Sequence, residues 1–409
     1  MKKATLIILL LSTITQAQNV NIPDANFKNA LLNHNTVIDT NDDGDISIVE
    51  AEAFPGMIDV ANKNISDLTG IQAFVNLTIL VCYNNQLTSL DVSKNVLLEQ
   101  LWCSLNQLTT LEVSKNKALY KVSCSNNQLK SLDVSGATAL NTLYCWDNQL
   151  TSLDVINNVD LESLGYNNNQ LTTIDISHNT KLHSLGCLNN LLTSLDVSNN
   201  TALGLLECSD NQLTSLDVSK NTALESLSCS NNNLTILDVS KNTALNWLLC
   251  YNNQLTSLDI SNGNNSNLRY LNFQNNPDLS CVNVDNQTQS RNWQKQQEIW
   301  YTEDETNITY YTFDWDDHVV FSEDCSALSN QDITNTTLKV YPNPANNFIT
   351  IDSTLEGNYN LVSILGKTVG KGNLNVGENI LDISTLDKGI YFVNISSNNT
   401  ANTLKIVKE

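Results

Sequence analysis

A phrase of 21 residues repeats from about Leu77 to Leu271 with almost no drift. Around its cysteine the phrase is L-x-x-L-x-C-x-x-N-x-L-T-S-L-D-V-S-x-N, as in Leu77 to Asn95. The cysteine position is held by Cys82, Cys103, Cys124, Cys145, Cys187, Cys208, Cys229 and Cys250, and by Tyr166 in the one remaining copy. A fixed period in this range predicts a solenoid, in which each repeat forms one coil and stacked coils bury a continuous core.

Each repeat contains two short segments in which apolar and polar residues alternate. Leu80 and Cys82 alternate with polar neighbours in the first segment, and Leu90 and Val92 do so in the second. A period of two is typical of short, half-buried strands, so we expect one strand on each of two sides of every coil. Equivalent residues of successive coils would then lie about 4.8 Å apart.

An asparagine follows each cysteine position by three residues. The row comprises Asn85, Asn106, Asn127, Asn148, Asn169, Asn190, Asn211, Asn232 and Asn253. An asparagine side chain can satisfy backbone groups in a tight turn and bridge one coil to the next. General surface polarity would not need the same residue type each time, so we favour a structural ladder.

These repeats resemble the leucine-rich repeat family, most closely its nested 21-residue class, called IRREKO, with the pattern L-x-x-L-x-L-x-x-N-x-L-x-x-L-D-L. The resemblance covers roughly half the chain, and cysteine stands where that class more often has leucine. It implies a mainly β solenoid of about ten to eleven coils, with two short strands per coil. We place this solenoid at residues 57–280.

The N-terminus has the pattern of a secretory signal peptide. Lys2 and Lys3 precede an apolar run from Ala4 to Leu11, and Ala17 fits a cleavage site. We therefore assign residues 1–17 as the signal and expect no transmembrane segment, because no later apolar stretch approaches about 18 residues. With 21 basic and 43 acidic residues, the net charge of −22 argues against nucleic acid or an anionic membrane surface as a partner.

Residues 18–56 predict an N-terminal helical cap that carries an EF-hand-like loop. The segment from Asp39 to Glu50 fits the pattern D-x-[DN]-x-[DN]-G-x5-E at every defined place. The expected calcium ligands are the side chains of Asp39, Asn41, Asp43 and Glu50 and the backbone carbonyl of Asp45. We expect calcium to have a structural role here; the alternative is an acidic loop that only shields the first coil.

Export makes the ten cysteines informative. Buried cysteine acts as a small hydrophobe, and stacked neighbours are poorly aimed for disulfide geometry, so we expect free thiols in the repeats. Cys281 and Cys325 lie outside the repeats and predict a disulfide across a terminal cap, residues 281–325. This segment resembles the C-terminal caps of exported bacterial leucine-rich repeat proteins.

Residues 326–337 are polar and unpatterned, which is typical of a linker, and a different domain follows at 338–409. Short alternating segments separated by glycines predict a small β-sandwich. Y-P-N-P at Tyr341 to Pro344, the stretch from Leu381 to Val393, and K-I-V-K at Lys405 to Lys408 resemble the type A sorting domain of type IX secretion. The resemblance implies that the type IX machinery recognises residues 338–409 and that the protein is secreted or attached to the outer cell surface.

Variable positions beside the cysteines predict where a ligand would bind. Exposed aromatic side chains on a rigid sheet are typical of protein or glycan recognition. The candidates are Tyr83, Trp102, Tyr144, Trp146 and Tyr251. Packing of these rings against neighbouring residues is the alternative.

A second row, from Asp91 to Asp259, is almost all aspartate and is expected to be satisfied by hydroxyls such as those of Thr88 and Ser89. Nine similar acids do not resemble the two singular acids of a glycosidase, and the four histidines have no nucleophile partner in a recognisable motif. The sequence therefore predicts a binding or adhesion module that is not an enzyme. A structural surface spacer without a specific ligand is the alternative.

Overall fold

The computed structural model describes residues 18–290, 296–301, 307–325, 338–353, 356–363, 367–397 and 400–409. The predicted signal peptide and linker lie outside these residues. The chain divides into two compact units between Glu323 and Asp324.

Helices and strands are numbered in chain order. The helices are α1 (Ala25–Leu32), α2 (Ile48–Ala53) and α3 (Gln287–Ser290), and short 3-10 turns span Ile71–Ala73 and Asn265–Asn267. The strands of the first unit are β1 (Gly56–Asp59), β2 (Leu77–Val81), β3 (Gln100–Trp102), β4 (Thr110–Glu112), β5 (Lys121–Ser123), β6 (Ser131–Asp133), β7 (Thr142–Tyr144), β8 (Ser163–Gly165), β9 (Ser184–Gly186), β10 (Leu205–Glu207), β11 (Ser226–Ser228), β12 (Ile236–Asp238), β13 (Trp247–Leu249), β14 (Ser257–Asp259), β15 (Tyr270–Asn272), β16 (Cys281–Asn283), β17 (Gln296–Tyr301), β18 (Asn307–Asp314) and β19 (Val320–Ser322). The second unit contains β20 (Leu338–Tyr341), β21 (Phe348–Ser353), β22 (Gly357–Ser363), β23 (Thr368–Leu374), β24 (Gly377–Asp382), β25 (Gly389–Ser397) and β26 (Thr400–Lys408).

The N-terminal cap is joined to the first coil by Asp24. One carboxylate oxygen of Asp24 accepts hydrogen bonds from the backbone N–H groups of Asn26 and Phe27, both at 2.9 Å, and so caps α1. The other oxygen accepts from the N–H and the hydroxyl of Ser66, both at 2.8 Å. Since Ser66 lies in the first coil, a single side chain fixes the helix to the solenoid.

Strands at the cysteine positions build one thirteen-stranded sheet, with the order β1-β2-β3-β5-β7-β8-β9-β10-β11-β13-β15-β18-β17. All pairs except the last are parallel, and within the repeats the register steps by 21 residues, as in Gln100, Lys121 and Thr142. The structure confirms a mainly β leucine-rich repeat solenoid of about 11 coils.

The second side of the coils pairs less than the sequence predicts. Strands form there only in the sheets β4-β6 and β12-β14-β16-β19. In the remaining coils of residues 18–290 the equivalent residues carry no strand. Continuous pairing would stack a row of carboxylates about 4.8 Å apart, and their repulsion opposes it.

The asparagine row forms the predicted ladder. Asn106 donates from Nδ2 to the carbonyls of Cys82 (3.0 Å) and Cys103 (3.1 Å), while its Oδ1 accepts from the N–H of Leu87 (3.0 Å). The same bonds recur at Asn127 and Asn148. Each of these amides therefore bridges two coils across groups that are shielded from water.

The second unit consists of two antiparallel sheets, β20-β21-β24 and β23-β22-β25-β26. Side chains from both sheets form one core, which includes Ile349, Ile351, Leu361, Val393 and Ile406. The antiparallel sheets predicted for residues 338–409 are thus present. Among the residues that the structure describes, no helix has the length and apolarity needed to span a bilayer.

Candidate ligand-binding face

The outward side of the thirteen-stranded sheet, here called the sheet face, presents side chains in straight rows. One row, set by the strand register, runs through Val81, Trp102, Ser123, Tyr144, Gly165, Gly186, Glu207, Ser228, Leu249 and Asn272. Two of the predicted aromatic residues belong to this row. Tyr83, Trp146 and Tyr251 follow two residues further along the chain, just beyond their strands.

Trp102 is half-buried, and both its polar group and its ring are engaged. Its indole N–H donates to Oε1 of Gln100 at 3.1 Å. The ammonium of Lys121 lies 4.4 Å from the centre of the indole ring, which is a cation–π contact. Trp102 is therefore already ordered on the sheet face.

Tyr144 and Trp146 form an aromatic pair on the same coil. Their ring centres are 5.0 Å apart at an interplanar angle of 43°. The Tyr144 hydroxyl is 3.0 Å from Oγ of Ser163 on the next strand. A Cβ at Gly165 would lie 3.2 Å from Cδ1 of Tyr144 and 3.4 Å from Cε3 of Trp146, so both rings extend over that glycine.

Tyr83 and Tyr251 are less engaged than these residues. Tyr83 is 38 % exposed. In the described part of the chain, the hydroxyls of Tyr83 and Tyr251 make no hydrogen bond, although buried tyrosine hydroxyls usually find a partner. Each of them keeps a free polar group beside an aromatic ring.

The sequence analysis missed a second aromatic pair on the sheet face. The rings of Trp247 and Tyr270 are 3.7 Å apart at 34°, on the paired strands β13 and β15. Both residues stand at the start of their strands, and the analysis considered only positions beside the cysteines. Since residues two apart on a strand share a face, Trp247 could have been found beside Leu249.

The acidic row forms turns and contains no acid–base pair. In Asp91, Asp133 and Asp217 one side-chain oxygen accepts from the N–H of the residue two positions later, at 2.9 Å. For Asp91, hydrogen bonds from the backbone and the hydroxyl of Ser93 lower the pKa, against a small opposing effect of burial. The partner is thus Ser93, in the same turn, and not the predicted hydroxyls of Thr88 and Ser89.

The loop from Asp39 to Glu50 has the hydrogen bonds of a tight acidic turn. Asp39 accepts from the N–H groups of Asp43 (3.3 Å) and Gly44 (2.9 Å), and Asp43 accepts from the N–H of Asp45 (2.9 Å). Nδ2 of Asn41 donates to Asp43 at 2.9 Å. Gly44 has φ +79°, which favours glycine at this turn. The side chain of Asp45 forms an ion pair with Lys28.

Glu50 is buried and accepts five hydrogen bonds from its own chain. Oε1 accepts from the N–H and hydroxyl of Thr40 (2.7 and 2.8 Å) and from the N–H of Asn41 (3.3 Å). Oε2 accepts from the N–H and hydroxyl of Ser47 (2.9 and 2.8 Å), which closes the capping box of α2. Burial raises the pKa of Glu50, but the bonds from Ser47 and Thr40 outweigh it and bring the pKa to about 2.

These bonds bear on whether the loop fits calcium. An ionised carboxylate offers about four lone-pair sites, and donors from the chain already occupy those of Glu50. In the described residues, no group of three or more His, Cys, Asp or Glu side chains is arranged to hold a metal. Glu50 as arranged therefore does not fit the bidentate ligand that the motif requires, and calcium binding stays a prediction.

The repeat cysteines are free thiols, as predicted. All eight are buried in the core, where Tyr166 takes the ninth place. Burial raises the pKa of Cys103, Cys145, Cys187 and Cys229 to about 12. The structure has one disulfide, formed by Cys281 and Cys325.

Comparison with known proteins separates the two units. Residues 339–409 match the model of the secretion system C-terminal sorting domain. These residues are a type IX sorting domain, so the protein is secreted or attached to the outer cell surface. No curated protein sequence matches the chain.

Solved structures with a similar fold are leucine-rich repeat proteins. The internalin InlF from Listeria monocytogenes is 22 % identical, with 67 % of this chain and 87 % of that chain covered and a TM-score of 0.56. The functional domain of InlJ from the same organism, described as including a cysteine ladder, is 23 % identical, with 89 % and 93 % covered and a TM-score of 0.47. YopM from Yersinia enterocolitica is 24 % identical, with 56 % and 52 % covered and a TM-score of 0.43. The likeness to InlF shows the fold alone.

Proposed function

We propose that this exported leucine-rich repeat protein is a binding module, and that its sheet face recognises an extracellular protein or glycan. The observation that carries the proposal is the aromatic pair of Tyr144 and Trp146, half-buried over Gly165 on a rigid sheet. Ordered aromatic rings provide contact area at low entropic cost, because their side chains are fixed before the ligand arrives.

The rows of the sheet face support this assignment. Core leucines and corner asparagines repeat in every coil because they maintain the solenoid, whereas the outward row changes from Trp102 to Ser123, Tyr144 and Gly165. Variation between coils makes the surface irregular and chemically distinct along its length. Specific recognition needs such a surface, and the solenoid itself does not.

The test compares ligand binding by the full chain and two matched triple variants. The first carries Trp102→Ala, Tyr144→Ala and Trp146→Ala. The control carries Thr110→Ala, Ser131→Ala and Ser152→Ala, which are exposed on the other side of coils in the same region. Both are screened on arrays of extracellular proteins and glycans, and hits are titrated. We expect at least a tenfold loss of affinity in the aromatic variant and none in the control.

Equal binding by both variants, with unchanged melting temperatures, would refute a role for the sheet face. A structural spacer is the second candidate, and the internal contacts of the rings favour it. Gln100 and Lys121 engage Trp102, and Ser163 engages Tyr144. If these rings only pack, the aromatic variant loses stability and the parent chain binds nothing on either array.

We infer binding and not catalysis for the solenoid. The aspartates of the acidic row that carry lowered pKa values are held ionised by their own turns, as Asp91 is by Ser93. The cysteine thiols are buried with raised pKa values, so they are not nucleophiles at neutral pH. An activity lost on replacing His178 or His183 would contradict this inference.

A further inference from the structure

A cavity of about 380 Å³ lies between the N-terminal cap and the first coils, and we call it the cap cavity. One wall comes from the end of α1 and the loop after it, including Asn33, His34 and Asn35. The other wall comes from β1 and the turns that follow β1 and β2, including Lys63 and Tyr83. Its size falls at the lower end of the range for small-molecule sites, about 300–1,000 Å³.

His34 fixes the two walls against each other. Its ring meets the ring of Phe54 edge to face, with centres 5.7 Å apart. Nε2 accepts from the N–H of Asp59 on β1 at 3.4 Å, and Nδ1 lies 3.1 Å from the carbonyl of Thr36. The cavity is therefore formed by packed and hydrogen-bonded segments, before any ligand binds.

Several polar groups in the cap cavity have no partner. In the residues that the structure describes, the side chains of Asn35 and Lys63 and the hydroxyl of Tyr83 make no hydrogen bond or ion pair. Asn62 accepts at Oδ1 from Asn84 at 2.6 Å, and its own N–H donors are unused within the same residues. The cavity thus offers amide, ammonium and hydroxyl groups beside one exposed aromatic ring.

The charges of the cavity differ from those of the whole chain. Asp59 and Lys63 balance each other, whereas the net charge of the protein is −22. The overall negative field disfavours an anionic ligand, and the cavity has no excess of acid to attract a cation. The remaining lining is mostly asparagine, which both donates and accepts.

We propose that the cap cavity binds a neutral saccharide. The ring of Tyr83 packs against the C–H face of a sugar, while Asn35, Asn62 and Lys63 hydrogen-bond to its hydroxyls. The inference deepens the proposed function and rests on it, because Tyr83 belongs to the sheet face, but it moves the contact from Tyr144 and Trp146 to the N-terminal end.

The test uses the purified full chain with a panel of neutral tetrasaccharides built from glucose, mannose or galactose. Tetragalacturonate serves as the anionic comparison, and an array of unstructured peptides tests the other class of ligand. Binding is measured by titration calorimetry for the parent and for Tyr83→Ala, Asn35→Ala and Lys63→Ala. The control is Gln107→Ala, an exposed corner residue remote from the cavity in sequence.

We expect at least one neutral tetrasaccharide to bind, with an affinity at least tenfold lower in Tyr83→Ala and severalfold lower in Asn35→Ala. Gln107→Ala should bind as the parent does, and all variants should keep its melting temperature. No binding to any neutral tetrasaccharide, or tighter binding of tetragalacturonate or of peptides at Tyr83, would overturn the proposal.

The triple variant of Trp102, Tyr144 and Trp146 separates this inference from the proposed function. A saccharide that is lost in Tyr83→Ala and retained in the triple variant supports the cap cavity. A ligand lost only in the triple variant supports the sheet face and refutes the cap cavity.

Discussion

The ring of Tyr144 extends over Gly165 on the neighbouring strand, where a Cβ would lie 3.2 Å from Cδ1 of the tyrosine. Trp146 comes within 3.4 Å of the same point. The glycine of one coil thus provides the space for the aromatic pair of the preceding coil. The same relation holds for His183 and Gly204, where a Cβ would lie 2.6 Å from Cε1 of the histidine.

Replacing Gly165 with valine should therefore displace the aromatic pair. The added atoms cannot share the space with both rings, and we expect a stability loss of about 1–3 kcal/mol together with weaker ligand binding. Urea unfolding and titration of a ligand found with the parent chain measure the two effects. Glu207→Val, in the same row two strands away, is the matched control. Unchanged stability and affinity in Gly165→Val would contradict the assigned role of the glycine.

The asparagine ladder predicts a large effect of one interior amide. Asn148 donates to the carbonyls of Cys124 and Cys145, both at 3.1 Å, and accepts from the N–H of Leu129 at 2.9 Å. Asn148→Ala leaves these shielded groups unpaired and should lower the free energy of unfolding by at least about 3 kcal/mol. The adjacent exposed residue gives the control, since Gln149→Ala should change it by less than about 0.5 kcal/mol. Similar losses in both variants would argue against the ladder.

The buried thiols predict a clear difference in reactivity between folded and unfolded protein. All eight repeat cysteines are inaccessible, and burial raises the pKa of Cys103 to about 12, so neither access nor thiolate is available at pH 8. We expect a thiol reagent to modify none of them in the native chain and all eight in denaturant. A variant with Ser131→Cys, on an exposed position, should react once and so shows that the reagent works. Fast labelling of native Cys124 or Cys145 would show that the coils separate readily.

Glu50 predicts acid-sensitive stability of the cap. Its pKa is about 2 in the folded chain against an ordinary value of 4.5. A lowered carboxyl pKa stabilises the fold fully above the ordinary value, and this contribution is lost as the pH falls from about 4.5 to about 2. We expect Glu50→Gln to remove on the order of 2–3 kcal/mol at neutral pH and to flatten the pH dependence in that window.

Melting curves from pH 2 to 7 measure this contribution, with Glu52→Gln, an exposed neighbour, as the control. Running them in calcium and in chelator also tests the loop. A calcium-dependent rise in the melting temperature that needs Glu50 would mean that the metal displaces the donors of Thr40 and Ser47. Equal curves for Glu50→Gln and the parent would refute the hydrogen-bonded role of Glu50.

The spacing of leucines and cysteines was enough to predict the solenoid, because a core position that recurs every 21 residues admits few arrangements. It could also predict the bonds of Asn106, since each coil provides identical partners. The role of Gly165 was not predictable, because it depends on which side chain lies across the strand. Glu50 fits the calcium pattern by residue type, and only the fold shows that Thr40 reaches the same carboxylate.

The register between Gln100, Lys121 and Thr142 has a consequence for changes in length. Because every interior coil offers its neighbours the same donors, acceptors and core side chains, deleting or duplicating 21 residues would rejoin equivalent partners. An insertion of any other size would leave amides such as Asn148 facing the wrong carbonyls. The number of coils can therefore change only in whole units, and each added unit extends the recognition surface by one new combination of outward residues while both ends stay as they are.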